Sequence, residues 1–101
     1  MRCGYLRASL ITVSLAYTSS AWADPTPAQR ATSDVLFADA KALVKAGQYN
    51  EACPKFVESQ RIYPTPGTLL NIGDCYENST PPRLASAWGA YKQAEIAARG
   101  K

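Results

Sequence analysis

The positions of proline and glycine divide this chain into four segments of helical length. No glycine or proline occurs from Ala28 to Ala46, and the apolar residues within that segment recur at spacings of three and four, the period of one helical face. Gly47, the stretch 64–67 and the stretch 78–82 (NSTPP) mark turns, because glycine tolerates a positive φ and residues before proline avoid the helical region. No stretch shows strand alternation. The sequence therefore predicts an all-α fold of antiparallel helix hairpins.

Candidate caps predict where these helices begin. Thr26 before Pro27, and Thr65 before Pro66, are typical of an N-cap followed by the first helical residue. Asn50 is predicted to cap the second helix, which would place Pro54 in the first turn, where backbone N–H groups have no helical partner. The predicted ends are near Ala46, Ile62, Glu77 and Arg99, with the fourth helix starting at about Pro82 or Arg83.

The first 23 residues have the layout of an export signal. A short cationic start precedes an apolar stretch of about ten residues, and Ala21-Trp22-Ala23 provides the small-x-small pattern of a signal-peptidase site. We expect residues 1–23 to be a signal peptide and the mature chain to start at Asp24, in the periplasm or secreted. Ten apolar residues are too few to span a membrane, for which about 20 are needed. A buried N-terminal helix is the alternative interpretation.

The mature chain would be almost neutral. Without residues 1–23, nine basic and eight acidic residues remain. A nucleic-acid-binding protein needs a strongly basic patch, and a peripheral membrane anchor needs a polybasic cluster. We therefore expect no nucleic-acid partner and no membrane insertion after signal removal.

Two of the segments carry a repeated pattern. Leu69-x-x-Ile72-Gly73-x-x-Tyr76 resembles the W-x-x-L-G-x-x-Y pattern of the tetratricopeptide repeat (TPR). Matching positions elsewhere in the chain are Leu36, Ala40, Leu43, Ala52, Phe56, Pro64, Ala87 and Tyr91. The chain resembles exported bacterial TPR proteins, which implies about two stacked repeats, a short α-solenoid. Residues 24–32 would form a lead-in and the start of the first helix, and residues 33–101 the TPR-like domain.

The resemblance is incomplete in three places. Leucine replaces tryptophan at Leu36 and Leu69, the NSTPPR turn is two residues longer than usual, and no proline closes the second repeat. Two repeats are also few, because stacked repeats share one core. The exposed side of the fourth helix would carry Trp88 and Ile96, so a homo-oligomer through that helix is one possibility. An unrelated pair of helical hairpins is the alternative fold.

The resemblance also assigns packing roles to small residues. Ala40, Ala52, Gly73 and Ala87 should lie at close contacts between helices, beside larger groove-filling side chains. Gly73→Ala is expected to be near neutral, because alanine is also used at that position in the family, and Gly73→Leu is expected to overpack the contact.

Cys53 and Cys75 are the candidate disulfide. The resemblance places the start of the second helix against the end of the third, and an exported protein favours oxidation of such a pair. Two buried free thiols are the alternative.

Binding through a groove, rather than catalysis, is the expected function. The chain has no histidine, and the two cysteines that remain after removal of the signal peptide cannot complete a structural zinc site, so we expect no enzyme activity, no metal and no cofactor. The resemblance implies a protein or peptide partner on the concave face formed by the first helix of each repeat. The candidate partner-binding residues are Phe37, Lys41, Val44, Asn71 and Asp74. A structural or capping fragment that docks through its last helix is the alternative function.

Overall fold

The described part of the chain is an all-α stack of two helical hairpins. A computed structural model describes residues 24–100 and Gly4, so the predicted signal peptide, apart from Gly4, lies outside the described residues. The helices are α1 (Pro27–Lys45), α2 (Tyr49–Ile62), α3 (Pro66–Asn78) and α4 (Leu84–Arg99), with no strand among these residues. Successive helices pack against each other, α1 on α2, α2 on α3 and α3 on α4.

Local sequence explains most helix ends. The Thr26 side chain accepts a hydrogen bond from the Gln29 amide, and the Gln29 side chain accepts one from the Thr26 amide, which together form a capping box before α1. Thr65 caps α3 through the Thr68 amide. Gly47 has φ +75° and follows the end of α1, where a β-carbon would be strained. These predicted caps and turns are confirmed.

The predicted start of α2 is wrong. Its N-cap is Gln48, which makes no side-chain cap, and Asn50 lies inside the helix. The Asn50 side chain instead bonds to the backbone of Thr80 in the α3–α4 loop, both donating to its carbonyl and accepting from its amide at 2.9 Å. Pro54 consequently lies in the second turn, where it has no N–H to give to the Asn50 carbonyl.

The core is built from small residues and a few larger ones. Ala40 and Ala52 are fully buried, and Phe56 is 1% exposed at their centre, with the Phe37 ring edge-on to it at a centroid distance of 5.4 Å. Alanines at these positions allow the helix axes to approach, and the aromatic ring fills the space beside them. The predicted burial of Ala40, Ala52, Gly73 and Ala87 is confirmed.

Two serines join α1 to α2 inside this core. The Ser33 hydroxyl donates to the Ser59 carbonyl and the Ser59 hydroxyl donates to the Ser33 carbonyl, both at 2.9 Å, and both residues are almost fully buried. These reciprocal bonds give each buried hydroxyl a hydrogen-bond partner. A buried hydroxyl without a partner would lower the free energy of unfolding by about 1–3 kcal/mol.

A disulfide links α2 to α3. Cys53, in the first half of α2, is bonded to Cys75, near the end of α3, with a Cα–Cα distance of 5.6 Å. Cys75 has no exposed surface and Cys53 is almost fully buried. The disulfide predicted for Cys53 and Cys75 is therefore confirmed, and the alternative of two free thiols is wrong.

Gly73 lies directly beneath the Tyr91 ring of α4. A β-carbon built on Gly73 would lie only 2.7 Å from Cδ1 and from Cζ of that ring. Real β-carbons essentially never come so close to another heavy atom, so the ring would have to move. That Gly73→Ala is near neutral therefore stays a prediction, but the methyl group can be accommodated only if the Tyr91 ring moves.

Candidate functional site

An open groove lies between α1 and α3, the first helices of the two hairpins. It has a volume of about 260 Å³. Asp34 and Phe37 of α1 form one side, Asn71 of α3 forms the other, and Tyr63 lies at the end of α2. Ser33 and Ser59 form part of the groove lining, and their hydroxyls already have hydrogen-bond partners in each other's backbone. The resemblance to TPR proteins predicts that a partner binds on this surface.

The structure brings together only some of the five candidate residues. Phe37 and Asn71 both line the groove. Phe37 is half-buried against the core, and so is Val44 near the end of α1, which makes both of them packing residues as well. Lys41 and Asp74 are exposed and lie outside the lining. Whether any of the five contacts a partner stays a prediction.

Asn71 has hydrogen-bonding capacity left over in the groove. Its side-chain N–H₂ donates to the Gly67 carbonyl one turn earlier at 2.9 Å, which fixes the amide plane. One N–H and the carbonyl oxygen of the amide have no partner among the described residues. An amide with one free donor and one free acceptor can bond both the C=O and the N–H of an extended peptide.

Asp34 is the one charged residue in the lining of the groove. The Asp34 carboxylate has no ion pair among residues 24–100, where the ion pairs involve only Glu58 and Glu95. Arg30 lies one turn before Asp34 on α1, but its guanidinium stacks on the Tyr63 ring at 4.9 Å. A positively charged side chain of a partner would therefore be favoured beside Asp34.

A second groove is larger and was not expected from the sequence. It has a volume of about 530 Å³ and lies between α2 and the α3–α4 loop, lined by Pro54 and Val57 of α2, Tyr76 of α3 and Pro81 of the loop, among others. The Asn50–Thr80 bonds hold the loop against the start of α2 and so form one end of this groove. The one sequence feature that relates to this groove is the long NSTPPR turn, which supplies part of its lining.

Arg83 is the one charged residue in the lining of this second groove. Its guanidinium stacks over the Tyr76 ring at 4.5 Å, an arrangement that holds the long side chain flat against α3. Stacking leaves the edge of the guanidinium free to donate hydrogen bonds.

The environment of Tyr91 raises its pKa. Partial burial raises the pKa of its phenol, and the hydrogen bond to Glu77 and the negative charges of Glu77 and Asp74 raise it further. The hydroxyl lies 3.2 Å from a Glu77 carboxylate oxygen. Since this ring covers Gly73, the same bond also holds the ring in its packed position.

The outer side of α4 is apolar and uncovered. Leu84 and Trp88 are each 65% exposed and Ile96 is 67% exposed, at positions one turn apart or a multiple of it. Lys92 completes the line, with its ammonium 5.8 Å from the centre of the Trp88 ring. The predicted exposure of Trp88 and Ile96 is confirmed.

Residues 24–100 contain neither a cluster of metal-binding side chains nor a helix suited to span a membrane. No three histidine, cysteine or acidic residues lie close enough together to hold a metal ion. No helix there has the length and apolar character needed to cross a membrane.

Comparison with known proteins supplies no family for this chain. No family model, no curated protein and no solved structure matches it.

Proposed function

We propose that the protein is an exported interaction module of the TPR type, which binds an extended peptide segment of a partner protein in the α1–α3 groove. The observation that carries the proposal is that Phe37 and Asn71, selected from the repeat pattern alone, line the same open groove from opposite helices. The proposed mechanism is recognition without chemistry.

The groove suggests the character of the peptide. Asn71 would bond to its backbone, which favours an extended conformation over a helix because an extended chain leaves its N–H and C=O groups free. Phe37 would contact a small apolar side chain, and Asp34 would attract a lysine or arginine. We therefore propose a peptide with a basic residue next to a small apolar one.

Export is part of the same proposal. The Cys53–Cys75 disulfide supports it, because structural disulfides persist in oxidising compartments and are rare in the cytosol. Mass spectrometry of the protein from its native host would test the expected start at Asp24. An envelope-associated chain that retains Met1 would contradict it.

Asn71 and Asn78 provide a matched pair of variants for the binding test. Both are in α3, and each side chain donates to the backbone carbonyl four residues earlier, at 2.9 Å for Asn71 and 2.8 Å for Asn78. Only Asn71 lines the α1–α3 groove. Peptides would be selected from a random peptide library on the native protein and measured by isothermal titration calorimetry.

Asn71→Ala should weaken the selected peptides about two- to tenfold, the range expected for a lost hydrogen bond, whereas Asn78→Ala should leave the affinity unchanged. Asp34→Lys should weaken those peptides that carry a basic residue. Equal affinities for the native protein and Asn71→Ala would overturn the proposal.

A structural module that docks through α4 is the second candidate, favoured by the exposed Leu84, Trp88 and Ile96. The groove test separates the two candidates, because substitutions in α4 should not change peptide binding if the groove is the site.

A further inference from the structure

The exposed side of α4 is equivalent to the side of α2 that packs against α3. Ala52 and Phe56 of α2 correspond to Ala87 and Tyr91 of α4, an offset of 35 residues in both cases. The same offset relates Cys53, through which α2 is joined to α3, to Trp88. Trp88 therefore occupies the position in α4 that corresponds to the position in α2 that contacts α3.

The outer side of α1 is equivalent to the side of α3 that receives α2. Ala40 corresponds to Gly73 and Leu43 to Tyr76, an offset of 33 residues, and the same offset relates Ala42 to Cys75. Ala42 and Asp39 are exposed, and together with Leu43 and Lys55 they line an open groove of about 310 Å³. Val35, one turn before Asp39, is 60% exposed.

We propose that copies of this chain stack head to tail, with α4 of one copy packed antiparallel on α1 of the next. The contact would repeat the α2–α3 contact found inside each chain. Trp88 would take the place of Cys53 and Ala42 the place of Cys75, so that the indole ring enters the groove beside Ala42.

The residues on the two faces are complementary along this register. Positions on α4 are taken four apart, and positions on the outer side of the facing α1 recur at spacings of four, three and four, so Leu84 meets Ala46, Trp88 meets Ala42, and Ile96 meets Val35, one residue out of strict register. Lys92 meets Asp39, which places opposite charges together. Each apolar side chain of α4 thus lies opposite a small residue or an apolar one of α1, and no like charges face each other in these four pairs.

The contact should be weak and reversible. A stable interface buries about 800 Å² on each partner, which is more than three exposed apolar side chains and one lysine can supply. Head-to-tail contacts do not close on themselves, so they should give dimers, trimers and longer species as concentration rises.

This inference does not depend on the α1–α3 groove, because both faces lie outside it. Copies that do not self-associate could still bind peptides, and copies that do not bind peptides could still self-associate.

Sedimentation equilibrium of the whole chain, from micromolar to millimolar concentration, is the test. The native protein should show a weight-average mass that rises with concentration. Trp88→Glu and Ala42→Arg should each remain monomeric, and both should fold normally because the two residues are exposed in the monomer. Lys41→Glu is the control, since it also changes the charge of α1 but lies on another side of the helix.

Mixing the two monomeric variants distinguishes the proposal from a symmetric α4–α4 dimer. Each variant keeps one intact face, so an equimolar mixture should form a one-to-one dimer and nothing larger. In an α4–α4 dimer, Ala42→Arg would still associate by itself, and that result would overturn the proposal. A native mass that stays monomeric to millimolar concentration would overturn it as well.

Discussion

Replacing Gly73 with alanine should not stabilise the protein, although the residue lies in the middle of a helix. By propensity alone the change should stabilise α3 by about 1 kcal/mol, because glycine is a poor helix former. The new methyl group, however, would lie 2.7 Å from two carbon atoms of the Tyr91 ring. Relieving such overlap typically costs about 1–3 kcal/mol. The expected net loss is therefore between about zero and 2 kcal/mol.

Gly89 is a matched control for this substitution. It also lies inside a helix, in α4, but a β-carbon there would meet no atom within 4 Å. Gly89→Ala should therefore show the propensity term alone and stabilise by about 1 kcal/mol. That corresponds to a rise in Tm of about 4–8 °C for a domain of this size.

A double-mutant cycle with Tyr91 isolates the steric cost. In a Tyr91→Ala background the ring is absent, and Gly73→Ala should become stabilising by about the same amount as Gly89→Ala. The coupling between positions 73 and 91 should then equal the overlap cost of about 1–3 kcal/mol. Urea and thermal unfolding followed by circular dichroism measure all four proteins. If Gly73→Ala stabilised the native background as much as Gly89→Ala does, the close packing of α3 and α4 would be refuted.

Two further predictions concern the disulfide and the pH dependence. Reducing Cys53–Cys75, or replacing both cysteines with alanine, should lower the free energy of unfolding by about 3 kcal/mol, as chain entropy predicts for a separation of 22 residues, and unchanged urea unfolding would contradict this. Because folding raises the pKa of Tyr91, its contribution to stability should be complete below its ordinary pKa of about 10 and be lost as pH rises above that value. Tyr91→Phe should remove that part of the alkaline decline, as followed by thermal unfolding, and an unchanged decline would exclude Tyr91 as its source.

The parts of the fold set by local interactions could be predicted from the sequence. Thr26 and Thr65 cap their helices through amides three residues away, and Gly47 ends α1 by its own backbone conformation. The prediction that Asn50 caps α2 is wrong because its side chain bonds to a distant residue. Its partner, Thr80, is 30 residues away, and two bonds to that loop outweigh a local cap that any Asn could make.

The candidate site shows the same division. The helical period predicts that Phe37 and Asn71 lie on the exposed sides of α1 and α3, and the resemblance to TPR proteins predicts that these two helices line one groove; the structure has both residues in the groove. It did not reveal that Phe37 is also packed against Phe56, because burial depends on the neighbouring helix. Ser33 was missed, although it lies four residues before Phe37 and seven before Ala40, and that spacing would have indicated a buried position.

The internal disulfide offers a direct way to trap the proposed stack. If Trp88 and Ala42 of neighbouring copies replace Cys53 and Cys75, their Cα atoms should be about as close as the 5.6 Å found within the chain, which suits a disulfide. The native pair is already bonded, so in a Cys3→Ser background only introduced thiols are free.

A copy carrying Trp88→Cys, mixed with a copy carrying Ala42→Cys, should form a disulfide-linked dimer under mild oxidation, seen on a non-reducing gel. Lys41→Cys is the control, because position 41 is exposed but faces away from the outer side of α1. Its thiol should react with Trp88→Cys far more slowly. Replacing Trp88 removes the indole and weakens the contact between copies. A disulfide can nevertheless accumulate from short-lived complexes, so the rates of crosslinking at positions 42 and 41 can still be compared. Equal rates at the two positions would mean random collision and would contradict the register of the stack.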